Sequence, residues 1–301
     1  MSMLTASSLE GTYTALITPF GADGRPDFQA FSLHVERQIE AGIDGLVPCG
    51  TTGEAATMTA EEQASLIAVC VEVAAGRVPV IAGVGSMSTH ASVELTQAAA
   101  SAGADGLLLV TPPYNKPPIA GLVAHFQAVA EASGGRPIVA YNVPGRTAYD
   151  ASVEDIQAIC DAVPGVIGLK EATGSIERAT QLGERFGERL SLLSGDDFSL
   201  LPFYSVGGRG AISVVSNLLP RTTGSIYRHL RAGEVVQAQR AFAAIRPLTN
   251  ALFETTNPIP VKSAAALLGW CEDRFRLPLV SLDAEATERL RAALDRCEEL
   301  A

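Results

Sequence analysis

"VIGLKEAT", residues 166–173, begins as a buried β-strand and ends on a residue that does not fit one. Val166, Ile167 and Leu169 suit a strand covered on both faces, as parallel strands are. Lys170 then places an ammonium where the apolar run gives out. Either the strand has reached the surface and its last lysine is solvated, or Lys170 is held in a pocket to act as an amine. The choice rests on the fold, because parallel α/β barrels gather their chemistry at strand C-termini.

Seven further runs share the character of 166–170. They are "YTALIT" (13–18), "GLVPCG" (45–50), "VPVIAG" (78–83), "GLLLVT" (106–111), "PIVAYN" (137–142), "LSLLSG" (190–195) and "GAISVV" (210–215). Each is short, continuously apolar and bounded by Gly or Pro, the pattern of a doubly covered strand. Helical periodicity fills the intervals, over 27–41, 60–75, 89–102, 118–132, 152–162, 175–186, 198–206 and 220–231. In 60–75, Thr59 and Glu62 form the sequence of a capping box, and Leu66, Ile67, Val69, Cys70 and Val73 follow at helical spacing. Eight strand–helix units predict an α/β fold, a (β/α)8 TIM barrel, over residues 1–231. A doubly wound sheet fits less well, since no GxGxxG follows the first strand; "GGRG" (207–210) precedes a strand and reads as a turn. Beyond 231 only helical patterns remain, so 232–301 is expected to form a C-terminal helical domain.

The chain has 301 residues, 47% hydrophobic and 18% charged, which is enough for a large core and an appendage. A net charge of -11 argues against a nucleic-acid partner. The first 24 residues carry no Lys or Arg, against a secretory signal, and no apolar stretch is long enough to cross a bilayer. Five scattered cysteines without CxxC fit a reducing cytoplasm. The four histidines form no ligand motif, so no metal site is expected.

On a barrel, Lys170 closes strand six and shares the lumen face with Gly168, while Leu169 and Glu171 face the helix layer. There Glu171 is expected to be a hydrogen-bonded structural residue. At an ordinary pKa of ~10.4, only about one lysine amine in 2,500 is neutral at pH 7, and burial lowers that pKa by disfavouring the charged form. A neutral amine and a ketone give a Schiff base, an electron sink for making or breaking carbon–carbon bonds. Tyr141 ends strand five and faces the lumen, either as a proton carrier or as a barrel plug. Tyr114 lies in the turn "TPPYNKP". "CGTTGE" (49–54) offers backbone N–H groups and the hydroxyls of Thr51 and Thr52 to a carboxylate. Arg146 is a clamp for a second carboxylate or a surface ion-pair partner. In "SGDD" (194–197), Asp196 or Asp197 is expected to cap the next helix.

Taken in order, "CGTTGEAATMTAEEQ", "TPPYNKP", "YNVPGRT", "IGLKEATG", "LLSGDD", "GGRGAISVVSN" and "NPIPVKSAAALLG" resemble the dihydrodipicolinate synthase family over nearly the whole chain. That family lies within the pyruvate-dependent class I aldolases, which also include N-acetylneuraminate lyase. The resemblance implies a lyase that condenses pyruvate with aspartate semialdehyde on the route to diaminopimelate and lysine. It implies no cofactor beyond the covalent imine between Lys170 and pyruvate. By the same resemblance Tyr141 shuttles protons at the imine carbon, with Thr52 and Tyr114 as relay partners, the tyrosine at Tyr114 reaching into a neighbouring subunit. Thr51 and Thr52 hold the pyruvate carboxylate, Arg146 holds that of the second substrate, and Gly195 and Ile212 contribute backbone groups near the lysine. A cytoplasmic homotetramer, a dimer of tight dimers, is implied as well. Pro113 departs from the family pattern, which often has tyrosine there and uses it at the tight-dimer interface. The positions matching the family's lysine-binding groups are Ala91, Met87, Ala60, Gln63 and Pro113, so feedback by lysine is expected to be weak or absent. Two other readings remain at this point. One is an aldolase or dehydratase for a keto-deoxy sugar acid, disfavoured by Arg146. The other is a silent pyruvate sensor, which would need no proton relay.

Overall fold

The computed structural model describes residues 4–300. Eight strands form one parallel sheet: β1 (Gly11–Ala15), β2 (Gly45–Val47), β3 (Ile81–Gly83), β4 (Gly106–Val110), β5 (Ile138–Asn142), β6 (Val166–Glu171), β7 (Ser191–Ser194) and β8 (Gly210–Ser213). Their order is β2-β1-β8-β7-β6-β5-β4-β3. A parallel bridge between Leu46 and Val80 joins the two ends, with Leu46 N–H donating to Pro79 O at 3.0 Å and Gly83 N–H to Pro48 O at 3.0 Å. The sheet is thus a closed barrel, and each expected strand is present within a few residues of its bounds.

The helices fall between the strands, as the periodicity predicts: Phe28–Glu40, Ala60–Ala74, Thr89–Ser101, Ile119–Ala132, Val153–Ala162, Ile176–Phe186, Leu200–Ser205 and Pro220–Arg231. The Thr59 capping box forms in both directions: Glu62 N–H donates to Thr59 Oγ1 at 3.2 Å, and Thr59 N–H to Glu62 Oε2 at 2.9 Å. From that start the helix buries Leu66, Ile67 and Cys70 against the barrel. Three single turns have no counterpart in the sequence pattern: Ala55–Thr57, Pro144–Thr147 and Val215–Asn217. Each follows a strand C-terminus and shapes the barrel mouth.

Two apolar layers result. The larger lies between strands and helices, and it is continuous with the appendage through Ile245, Leu248, Leu252, Val261, Ala264 and Leu290. The smaller fills the lumen with Leu9, Tyr13, Ala15, Val47, Ile81, Leu108, Val139, Tyr141, Leu193 and Ile212. A Cβ on Gly168 would stand 2.6 Å from Leu9 Cδ2, so this glycine makes room for the residue that plugs the barrel floor beneath Lys170. Past residue 231 the chain forms three longer helices, Val235–Leu252, Ile259–Leu267 and Ala284–Leu294. No helix of the described residues is long and apolar enough to cross a membrane.

Candidate active site

Lys170 sits next to the last residue of β6, in register with Tyr141 of β5 and Leu193 of β7. Its side chain is buried, with Nζ 4.3 Å from the centre of the Tyr141 ring. Loss of hydration pulls its pKa down to about 7; Asp197 opposes the shift and Arg146 adds to it. Near neutral pH a large share of the amine is therefore uncharged, against about one part in 2,500 for a solvated lysine. Gly195, on the turn after β7, leaves space for the chain: a Cβ there would lie 2.9 Å from Lys170 Cε and 2.7 Å from Ala172 Cβ. Ile212 of β8 is buried in the lumen.

Tyr141 is buried too, and desolvation raises its pKa to about 12, so the phenol keeps its proton at neutral pH. Glu171 turns away into the helix layer, where it accepts from Arg178 Nε at 2.8 Å, Asn142 Nδ2 at 3.1 Å and Thr173 N–H at 2.9 Å. Alternation along one strand thus separates an amine for chemistry from a carboxylate for structure.

A cavity of about 690 Å³ opens over Lys170 and Tyr141, and Thr51, Thr52, Arg146, Gly195, Asp196 and Asn257 line it. Its β2 wall is the loop "CGTTGE", bracketed by two non-glycine residues in the left-handed region, Cys49 and Glu54, each at φ 57°. The appendage holds that loop in place. Lys262 Nζ donates to Glu54 Oε1 at 2.6 Å in a wholly buried pair, with the ammonium 4.0 Å from the centre of the Phe20 ring. Arg276 adds a backbone N–H to Glu54 Oε2 at 3.3 Å and forks its guanidinium onto Glu62. Asn257 Nδ2 donates to Thr52 Oγ1 at 3.0 Å, and Asn257 O accepts from Arg146 Nη2 at 3.0 Å. Asn257 and Lys262 both fall in "NPIPVK", which the sequence reading used only as a family signature. The signal for a second role was there, a lysine within an apolar helix start, but nothing in the pattern named Glu54 as its partner.

One sequence expectation is revised, the helix-capping role given to Asp196 or Asp197. Tyr114 does not enter the cavity of its own chain: it is 84% exposed, at φ 71°. The phenol is therefore free to meet another surface. Neither Asp196 nor Asp197 caps the helix at 200–205 with its side chain. Asp196 lines the cavity. Asp197 is buried, and its Oδ2 accepts from Val214 N–H and Val215 N–H, both at 2.9 Å, bracing the turn after β8. The amides at that strand end, one element away, outcompete the adjacent helix for the carboxylate. Among the described residues no cluster of three or more His, Cys, Asp or Glu side chains is arranged to hold a metal ion.

A closed (β/α)8 barrel with a desolvated amine and a protonated phenol at the mouth has the make-up of a barrel lyase. The chain belongs to the dihydrodipicolinate synthetase family, whose model matches residues 8–297. It is 50% identical over 287 residues to the 4-hydroxy-tetrahydrodipicolinate synthase of Maridesulfovibrio salexigens, covering 95% of this chain and 98% of that one. Among solved structures, it is similar to the dihydrodipicolinate synthase of Aquifex aeolicus, with a TM-score of 0.93, 40% identity and coverage of 96% and 98%. A chloride-inhibited dihydrodipicolinate synthase from Acinetobacter baumannii, complexed with pyruvate, matches with a TM-score of 0.92 and 39% identity over 96% of this chain and 98% of that one.

Proposed function

We infer that this chain is a 4-hydroxy-tetrahydrodipicolinate synthase, joining pyruvate to aspartate semialdehyde through an imine on Lys170. One observation carries the reading: a buried lysine at a barrel strand end, without an ion pair among the described residues and with its pKa brought down to about 7. The likeness to named synthases over nearly the full chain supports the substrates.

In this reading Thr51 and Thr52 receive the pyruvate carboxylate at the loop after β2. The Lys170 amine attacks the keto carbon, water leaves, and loss of a methyl proton gives an enamine. That carbon attacks the aldehyde of the second substrate, whose carboxylate meets Arg146 at the rim. The substrate's own amine then displaces Lys170 and closes the ring. Tyr141 supplies and takes back protons beside Nζ, a role supported by its raised pKa and its place over the amine. Tyr114 completes the relay in a neighbouring subunit, which its exposure here supports. A cytoplasmic tetramer, and a division into a barrel over 1–231 and a helical domain over 232–301, belong to the same proposal.

The test is turnover by purified protein given both substrates, with product followed by NMR, for the unaltered chain and for Arg146→Ala. Removing a desolvated guanidinium costs on the order of 2–4 kcal/mol of binding. The variant is expected to raise KM for aspartate semialdehyde far more than KM for pyruvate. Absence of product from the unaltered protein contradicts the function; equal effects on the two substrates contradict the role of Arg146.

A further inference from the structure

The described residues bury two lysines, Lys170 and Lys262, and three carboxylates, Glu54, Glu171 and Asp197. Four of these five groups have evident roles. Lys262 is locked to Glu54 at 2.6 Å, and Glu171 to Arg178 at 2.8 Å. Lys170 is left as the buried cation without an ion pair, and Asp197 as the buried anion without one. The two belong to one site. Gly195, where a Cβ would lie 2.9 Å from Lys170 Cε, begins the turn that carries Asp197, and Gly195 N–H donates to Glu171 O at 2.7 Å. Asp197 Oδ2 is pinned by the amides of Val214 and Val215, while Oδ1 is buried with no hydrogen-bond partner at all. A carboxylate oxygen left bare in the interior costs free energy unless a positive charge elsewhere answers it.

We propose that Asp197 is the counter-charge for the iminium formed on Lys170, held near enough to stabilise that cation but kept out of an ion pair that would lock the amine as ammonium. The proposal rests on the imine reading above and assigns it a residue that acts through Lys170 without touching substrate. The reaction makes opposite demands on one nitrogen. To attack, Nζ must be neutral. Addition to the ketone, uptake of one proton and loss of water then leave a C=N bond bearing a positive charge. Only that charge draws electrons well enough for the next step, in which a methyl C–H bond breaks and its electron pair forms C=C. The C=N pair retires to nitrogen and the proton leaves past Tyr141. A direct ion pair of the Lys262–Glu54 kind would serve the second demand and defeat the first. A carboxylate acting across a short gap of low dielectric serves both in part, because its field persists where water would screen it.

The groups facing Nζ are few. From β5 comes the protonated Tyr141; Arg146 and Asp196 line the same cavity, while Asp197 lies outside that lining and favours positive charge on Nζ where Arg146 opposes it. Glu171 faces away and is spent on Arg178. Around Asp197 itself stands Tyr204, a neutral phenol; burial raises the pKa of Asp197, and the amides of Val214 and Val215 pull it back down.

The test is Asp197→Asn, which keeps an oxygen for the two amides and removes the charge. Labelling of Lys170 by pyruvate and borohydride reads imine formation, and deuterium entry into the pyruvate methyl group in D2O reads enamine formation. The variant is expected to label Lys170 to completion, with the pH midpoint of labelling moved to lower pH. Methyl exchange is expected to slow about tenfold or more, the worth of one pKa unit on the iminium. If both rates are unchanged, or fall together with the melting temperature, Asp197 only braces the β8 turn and the proposal is overturned. Should the variant not fold, Asp197→Ser keeps an oxygen for the amides and likewise removes the charge. It is expected to give the same split between labelling and methyl exchange, and no split overturns the proposal. If the unaltered protein takes no label on Lys170, the imine reading fails, and the counter-charge with it.

Discussion

Lys170 and Lys262 are both buried lysines, and the difference between them is the presence of a partner. Lys262 has Glu54 at 2.6 Å and two aromatic rings about its ammonium. Lys170 has a tyrosine ring and a desolvating wall. A lysine whose folded pKa is depressed burdens the fold wherever the unfolded chain would be protonated. For Lys170 that burden is full below about pH 7, shrinks as pH rises, and vanishes above the unfolded value of 10.5. Lys170→Met, similar in length and apolar, is therefore expected to be more stable than the unaltered chain, by about 1.4 kcal/mol for each unit of depression at neutral pH. Denaturation midpoints compared from pH 6 to about pH 10 check this: the gap should close with rising pH, and a constant gap would point to packing rather than charge. The position of Lys170 was legible in the sequence, since a strand pattern and its alternation place it at the mouth on the lumen face. That it lacks an ion pair among the described residues was not, because pairing at a barrel mouth is decided by loops from other strands. Asp197 shows this: its sequence neighbours suggested a helix cap, and the amides of Val214 and Val215 claimed it instead.

At the scale of elements, the loop after β2 and the segment 257–262 form one unit. Glu54, Thr52 and Arg146 come from the barrel; Lys262 and Asn257 come from the appendage. Breaking the buried pair from one side leaves a carboxylate unpaired in the interior, at a typical cost of about 3–5 kcal/mol. Lys262→Met is expected to lose stability on that order and to lower turnover, since Glu54 closes the loop that carries Thr52. Replacing both partners, Lys262→Met with Glu54→Gln, is expected to recover part of the stability. A denaturant series on the three proteins checks it, and a single variant as stable as the unaltered chain would contradict the role given to the pair. The strands and long helices could be read from hydrophobic period and capping residues, Thr59 with Glu62 being the clearest case. The short turns at Ala55–Thr57, Pro144–Thr147 and Val215–Asn217 could not, because one turn has no period to detect. Those turns hold Arg146 and brace Asp197, so the rim of the site was the part the pattern hid.

For the whole molecule, one apolar layer runs from the barrel into the appendage, which explains how residues past 231 come to shape a site on strands two and five. The positions matched to the family's lysine-binding groups line the same cavity: Ala60, Gln63, Met87, Ala91 and Pro113. The single polar side chain among them, Gln63, already spends its amide N–H groups on Ala55 O at 3.1 Å and Met58 O at 3.4 Å. None of the five carries a carboxylate to meet an ammonium, and Glu94, which also lines the cavity, is exposed and stands 3.3 Å from His90; loss of a desolvated charge pair costs about 2–5 kcal/mol. Free lysine at millimolar concentration is expected to leave turnover unchanged with both substrates near KM, and strong inhibition in that assay would contradict this. The central claim, that the barrel exists to present an uncharged Lys170 to a ketone, has a more direct test. The assembled protein is incubated with pyruvate, reduced with borohydride, digested and mapped by mass spectrometry. One reduced pyruvate per chain, confined to Lys170 and formed with a pH midpoint near 7, is the predicted result; an adduct on another lysine, or none, would contradict it.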